Sequence, residues 1–395
     1  MKLLFLLSSL DLTQPFSATP AWWQLLKALY EEGVEVLAAP YQGSPIESLW
    51  WRALPNPARR EGDLFKAARD LVRRLAGSRH RADLDRASEG LSASEKLICQ
   101  VTQALIVPRW ARALGRALER DPDIDAVIFL TVPLNQLVGL AGRLRARYGV
   151  PVIYYDGDAP ASLPGFQGFA TGFRIYPGAD LGEYDAFICN SQGSAARLEA
   201  IGARAVHVLH YGVDPDVYHP IDAPKDVDVF FYGHGAEYRA EWIAAMIAGP
   251  SRAMPGARFA VRGTRLGDLG RAGTLPYLSF SKLREYVCRS RINLCITRRA
   301  HASVYASSSM RPFELAALGA CVVANPYLGI ETWFEPEREI IVVHSEEEAV
   351  ERYRWLLAHD AERERLGQAA RARALKEHTF RRRAAQLCKI VEALR

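Results

Sequence analysis

The sequence contains no C-x-x-C pair, and its six cysteines, Cys99, Cys189, Cys288, Cys295, Cys321 and Cys388, are scattered without a histidine-rich cluster. That spacing argues against a structural zinc site and against a disulfide framework. Most of these thiols lie in apolar runs, where cysteine behaves as a small hydrophobe, and a reducing, cytoplasmic compartment fits. No stretch reaches 18 apolar residues, so no membrane-spanning helix is expected. The apolar opening Met1 to Leu7 is short, and Asp11 follows it without a small-residue cleavage pattern, so it reads as a buried first strand rather than a signal peptide. Internal repeats and low-complexity tracts are absent. So are G-x-x-x-x-G-K-[ST], H-E-x-x-H and G-x-S-x-G, and the first strand runs into Ser8-Ser9 without G-x-G-x-x-G, which counts against a dehydrogenase. The net charge is only +5 and no RNA- or DNA-binding motif occurs, so nucleic acid is not an expected partner.

What is present suits two globular domains. The chain has 395 residues, 49% hydrophobic and 24% charged, against roughly 100–200 residues per domain. Short apolar runs alternate with helical stretches. Strands are predicted at Leu3 to Leu7, Val34 to Ala38, Ala126 to Leu130, Val152 to Tyr155, Ala186 to Cys189 and Val206 to Leu209. Helices are predicted at Trp22 to Glu32, over 63 to 120 as an insertion, at Asn135 to Tyr148, and up to Ala200. A polar, Pro-rich stretch to Asp226 reads as a linker. A second alternation then begins, with strands at Val227 to Tyr232, Arg258 to Arg262, Ile292 to Ile296, Cys321 to Ala324 and Ile340 to Val343, and a helical tail over 346 to 395. The expected architecture is therefore α/β, two doubly wound parallel-sheet domains: residues 1–220 with a helical insertion at about 52–120, residues 221–375, and a C-terminal helix 376–395. Such a pair places a ligand cleft at the carboxyl ends of both sheets. Residues 52 to 120 carry about twice as many Lys and Arg as Asp and Glu. The plain reading is solvated helix faces; the sharper one is a surface for an anionic acceptor or for peripheral membrane contact.

Ser307-Ser308-Ser309-Met310-Arg311-Pro312-Phe313-Glu314 opens a helix that ends at Gly319. Serines before the start, Pro in the first turn and Gly past the end form a strong helix signature. The free N–H groups of that terminus suit a phosphate, with Arg311 adding a charged contact and Glu314 placed for ribose hydroxyls. The plain alternative is an ordinary capped helix with a surface Arg–Glu pair.

Asn190-Ser191, Leu198, Gly202 and the string Tyr211 to Pro220 resemble the interdomain signature of family 4 (group 1) glycosyltransferases. The segment Ser309 to Gly319, with Glu331, Glu339 and His378-Thr379-Phe380-Arg381 downstream, is similar to the CgeB-like (spore-maturation) branch. The resemblance runs from about Val150 onward; residues 1 to 150 share only the pattern. It implies a GT-B fold with C-terminal helices packing back on the first domain, a nucleoside-diphosphate sugar as donor, a metal-independent and retaining hexosyl transfer, and no cofactor. Carried over by position, Glu314 holds the ribose, Ser307 to Ser309 and Met310 line the diphosphate loop, and after the first strand of the second domain His234 and Arg239 are the basic pair on the diphosphate, with Gly233 beside them as a donor-binding residue. One departure stands out. The family's second Glu, eight residues before the ribose one, is Ala306 here, with His301, Arg298 or Arg299 as substitutes toward the donor sugar.

Asp156-Gly157-Asp158 ends a strand of the first domain. Either Asp suits a general base or a stabiliser of sugar charge; a turn of loop residues and a metal-binding D-x-D are the other readings. The segment Pro160 to Gly182 reads as a long loop. The expectation is thus a cytoplasmic glycosyltransferase, with peripheral membrane contact through the basic N-terminal domain as an added feature. Asp156, Asp158, Arg239 and Arg311 carry the catalysis, no metal is expected, and the acceptor is a sugar, a lipid-linked molecule or a protein. Its rivals are a sugar-nucleotide epimerase and a catalytically silent nucleotide-sugar or partner-binding protein.

Overall fold

The structure is a computed structural model that describes residues 1–10, 20–62, 91, 93–165 and 175–395. Contacts divide the chain into two compact units. The first is Met1–Thr13, Leu26–Leu209 and Ala384–Arg395; the second is Gln14–Leu25 and His210–Arg383.

The first unit holds a seven-stranded sheet: β1 (Lys2–Ser9), β2 (Glu35–Gln42), β3 (Arg52–Ala53), β4 (Ala126–Leu130), β5 (Val152–Asp156), β6 (Ala186–Cys189) and β7 (Val206–Val208). Their order is β3-β2-β1-β4-β5-β6-β7, and every pair is parallel. Leu3 to Leu7 are fully buried, as the apolar opening predicts. Leu4 and Leu6 join Trp110, Phe129 and Tyr154 in one core. Helix Ala93–Arg120 covers part of the predicted 63–120 stretch; residues 63–90 and 92 of it, and residues 166–174 of the predicted 160–182 loop, lie outside the described residues.

The second unit holds β8 (Val227–His234), β9 (Phe259–Thr264), β10 (Gly273–Thr274), β11 (Ser290–Cys295), β12 (Val322–Ala324) and β13 (Ile341–Val342). The order is β10-β9-β8-β11-β12-β13, again parallel throughout. Side-chain alternation along β8 feeds two cores. Val229 and Phe231 enter one; Phe230 and Tyr232 enter the other. Three helices, Glu346–Ala358, Asp360–Glu377 and Phe380–Ala393, form the helical tail.

One predicted helix is corrected. Asn135 to Tyr148 is not continuous: a short 3-10 turn, Leu134–Gln136, precedes helix Leu140–Tyr148. Gly139 between them takes φ 83°. The Glu183 carboxylate accepts hydrogen bonds from the N–H groups of Gly139 (2.5 Å) and Gly142 (3.3 Å), so a side chain far along the sequence caps the new helix start.

No helix among the described residues is long and apolar enough to cross a membrane.

Candidate functional site

In each sheet the strand order reverses beside the first strand, between β1 and β4 and between β8 and β11. Ligands of doubly wound folds bind outside the carboxyl ends at such a switch point.

At the β8/β11 switch point, β8 ends in Gly233-His234. Arg239 follows, where the backbone of helix Ala236–Ile243 leaves helical geometry (φ −147°, ψ 15°). Its guanidinium donates to the carbonyls of His234 (2.8 Å) and Ile296 (2.6 Å), bridging the ends of both strands. Helix Met310–Ala317 starts at the same edge. Arg311 lays its guanidinium over the rings of Tyr232 (4.5 Å) and Phe231 (5.5 Å). A Cβ on Gly233 would stand 3.1 Å from that guanidinium, so the bare glycine makes room for it.

Two further cations join from β9 and its following turn. Arg262 stacks on Tyr277 at 4.1 Å, and Arg265 takes φ 55°. The Nε atoms of Arg311 and Arg262 are buried without a hydrogen bond. His234 shares a hydrogen bond with Thr264 Oγ1 (2.9 Å). Its pKa is pushed below the usual imidazole value, first by burial and then by Arg239, Arg311, Arg262 and Arg265. Five basic side chains and a helix N-terminus therefore converge on one sheet edge, a concentration of positive potential that favours an anion.

Several predicted residues occupy other roles. Ser309 precedes the helix, which begins at Met310, but its hydroxyl makes no cap bond. The Ser307 and Ser308 hydroxyls are turned into the protein: Ser307 donates to the Val304 carbonyl (2.8 Å) and Ser308 accepts from the Tyr211 N–H (2.9 Å). Only backbone and the half-buried Ser309 and Met310 remain for a ligand from that loop.

Glu314 is 2% exposed. Its two oxygens accept from the hydroxyls of Tyr218 (2.9 Å) and Tyr232 (3.0 Å), and burial raises its pKa. The carboxylate clasps the 211–220 segment to β8, which leaves one lone pair on each oxygen for anything else. Glu314→Ala strands two buried hydroxyls, so it should cost about 2–4 kcal/mol of stability. Chemical denaturation measures that loss, and Glu314→Gln, which keeps one acceptor, should lose less.

His301 is fully buried and held neutral, its pKa well below normal through burial and the nearby Arg298 and Arg239. It meets Arg298 at 3.3 Å through Nε2. Ala306, at the position of the family's second Glu, takes φ 45°, is fully buried and belongs to a hydrophobic core. A side chain there points into packing. His378 and Phe380 are structural: Val213 N–H donates to the His378 carbonyl (2.9 Å) and Phe380 N–H to the Val213 carbonyl (3.0 Å).

In the first unit, Asp156 is fully buried and accepts from Tyr176 Oη (2.5 Å), Ser162 Oγ (2.5 Å) and the Asp158 N–H (2.9 Å). Burial raises its pKa. It is a positioning residue for the 156–162 turn, not an accessible base. The signal available was the continuous apolar run before it: β5 is buried along its whole length, on both faces, and Asp156 is its last residue. Asp158 is half-buried and lines a cavity of about 220 Å³ with Ser8, Tyr41 and Thr131. No group of three or more His, Cys, Asp or Glu placed to hold a metal occurs among the described residues.

Comparison with solved structures decides the fold. A sucrose-phosphate synthase from Thermosynechococcus elongatus matches with a TM-score of 0.63 and 14% identity, covering 100% of this chain and 99% of its own. The trehalose-6-phosphate synthase OtsA matches at 0.66 and 12%, covering 99% of both chains. The chain has the GT-B fold. HepE from Anabaena, solved in complex with UDP, matches at 0.60 and 12% over 100% of both chains. Residues 239–389 match a family model described as Glycosyl transferase-like. No curated protein matches the chain. Of the residues that build the basic edge, Arg239, Arg262, Arg265 and Arg311 fall inside the matched span, and His234 lies just before it.

Proposed function

We propose that the chain transfers a glycosyl group from a nucleoside-diphosphate sugar to an acceptor hydroxyl, with the second unit holding the donor and the first the acceptor. The convergence of Arg239, Arg311, Arg262, Arg265, His234 and the Met310 helix terminus at the β8/β11 switch point carries this reading. In the reaction the acceptor oxygen bonds to the anomeric carbon, the bond from that carbon to the phosphate oxygen breaks, and the diphosphate leaves with the electron pair. The acceptor's proton passes to a base. A preorganised cluster of cations and N–H dipoles stabilises the charge that grows on the diphosphate, which removes the need for a metal. Glu314 reaches the ribose through the lone pairs its tyrosines leave. The family 4 resemblance, with its CgeB-like features, points to a retaining outcome and a hexosyl group, and the UDP and UDP-glucose bound to HepE favour a uridine donor.

The site makes a pH prediction. A bound diphosphate offsets the arginine field on His234 and raises its lowered pKa, so binding takes up a proton. The diphosphate of UDP-glucose has no group titrating near neutrality. Its affinity should therefore rise as the pH falls from about 8 to about 5.5. Calorimetric titration should show that slope in the wild type and a flat profile in His234→Gln.

The functional test is UDP release from UDP-glucose, measured with and without a panel of hydroxyl acceptors. Release that depends on acceptor, with a glycosylated product, is expected. Epimerised sugar nucleotide formed without acceptor, or binding without turnover, would overturn the assignment.

A further inference from the structure

We infer that helix Ala93–Arg120 of the first unit docks on an anionic membrane surface through its solvent-facing strip, with Leu97, Ile98, Val101 and Leu105 among the lipid headgroups and Arg112 and Arg116 on their phosphates. Eleven large hydrophobic side chains are exposed among the described residues, and four of them stand on this one helix: Leu97 (61%), Ile98 (49%), Val101 (37%) and Leu105 (43%). Scattered singly, such residues need no explanation. A contiguous group on one face marks a surface that meets something apolar.

The helix is apolar on two opposite faces. At about 100° per residue, the exposed Leu97, Ile98, Val101, Ala104, Leu105 and Pro108 fall within an arc of about 120° and run about 16 Å along the axis. Cys99, Thr102, Ile106 and Trp110 fall on the other side and are buried, Ile106 and Trp110 in the first unit's core. Packing on that core accounts for the inner stripe alone. A surface helix ordinarily gives its outer face to charged and polar side chains, whereas from Leu97 onward the first polar side chain within this outer arc is Arg112.

Charge selects the partner. From Leu97 to Arg116 the sequence has no Asp or Glu, and its cations are Arg109, Arg112 and Arg116. Arg112 and Arg116 are exposed and continue the same arc for two further turns. Arg109, at its border, is held by Glu61 at 2.8 Å. Arg112 donates from Nε to the Pro108 carbonyl (3.2 Å), which folds its side chain back toward the apolar strip. A strip that joins apolar side chains to cations matches the headgroup layer, where apolar side chains sink about 5–10 Å and basic ones meet anionic phosphate. With its opposite face committed to the core, the helix presents about a third of its circumference. That suits a flat surface and not a groove that would enclose it.

The test is flotation of the full-length chain with vesicles of phosphatidylcholine, alone and mixed with phosphatidylglycerol. The mixed vesicles should bind at least about 10-fold more tightly, and salt raised from about 0.05 to about 0.5 M should weaken that binding about 10-fold or more. Leu97→Glu and Val101→Glu should each weaken it about 10-fold or more, with the melting temperature unchanged because both positions are exposed. Arg112→Glu combined with Arg116→Glu should remove the preference for mixed vesicles. Ile98→Trp should add emission, relative to the wild type, that shifts to the blue when mixed vesicles are added. Absence of binding to either vesicle overturns the inference, as do equal binding to both kinds and wild-type binding by the two glutamate variants. A dimer that Leu97→Glu dissociates assigns the strip to a second copy of the chain. Added emission already blue without vesicles, or a lowered melting temperature in both glutamate variants, assigns it to the chain's own fold; each of these also overturns the inference.

Discussion

Arg311→Ala should weaken UDP binding about 10- to 100-fold and lower kcat/KM for transfer about 100- to 1,000-fold, without lowering the melting temperature. The larger kinetic effect follows from charge development: the diphosphate gains negative charge as the glycosyl bond breaks, so a cation aimed at it counts for more in the transition state. Stability should hold because the lost attraction for the buried Glu314 carboxylate is offset by relief of repulsion among the arginines. The Arg311 guanidinium lies on Tyr232 and Phe231, and its charge adds to those of Arg239, Arg262 and Arg265 around His234. Removing one of several like charges relieves repulsion. Arg311→Lys should recover only part of the binding, because an ammonium keeps the charge but not the planar stack. Isothermal titration and steady-state kinetics on the three proteins measure the effect. Loss of binding with a parallel loss of stability would assign Arg311 a structural role instead.

Gly235→Ala should be the most damaging small substitution at the site, costing about 3 kcal/mol or more and abolishing nucleotide binding. The reason is close backbone approach. A Cβ at Gly235 would stand 1.6 Å from the Arg265 carbonyl oxygen and 2.6 Å from that of Thr264. Those are main-chain atoms at the end of β9 and cannot swing aside. Relief requires moving the turn that carries Arg265, which already has φ 55°, away from β8. Gly263 is similarly constrained, with a Cβ there 2.0 Å from the Gly233 carbonyl oxygen. Gly256→Ala is the control, because nothing lies within 4 Å of its added Cβ. Thermal denaturation should separate the two sharply. Equal stability of Gly235→Ala and Gly256→Ala would show that the β8 and β9 ends do not approach as described.

Long apolar strands were legible in the sequence because burial on both sheet faces leaves them continuous. Leu3 to Leu7 and Ala126 to Leu130 fall inside or match the observed strands. Two of the two-residue strands were not legible: Arg52–Ala53 and Gly273–Thr274 carry no hydrophobic signal and exist because a neighbouring strand offers its edge. The site divides in the same way. Arg311 and the helix terminus could be read locally, from serines, Pro and Gly in order. Arg262 and Arg265 could not, since they reach the same edge only through the β8–β9 register that sets Gly233 beside Gly263 and His234 beside Thr264. Glu314 was legible as part of the helix, yet its neighbours Pro312, Phe313, Leu315, Ala316 and Ala317 are all buried. A helix apolar all round is a buried helix, and that pattern already placed Glu314 inside the fold. For the Asp pair, the end of β5 separates the two: Asp156 is its last, buried residue, and Asp158 stands beyond it and lines the cavity.

The most direct measurement is a crystal structure of the chain with UDP. The account predicts that the diphosphate lies at the carboxyl edge of β8 and β11, within hydrogen-bonding distance of the Met310 or Arg311 N–H and of the Arg239 and Arg311 guanidinium groups. UDP bound elsewhere, for example in the Ser8–Thr131–Asp158 cavity of the first unit, with the basic edge of the second unit left without phosphate, would contradict it.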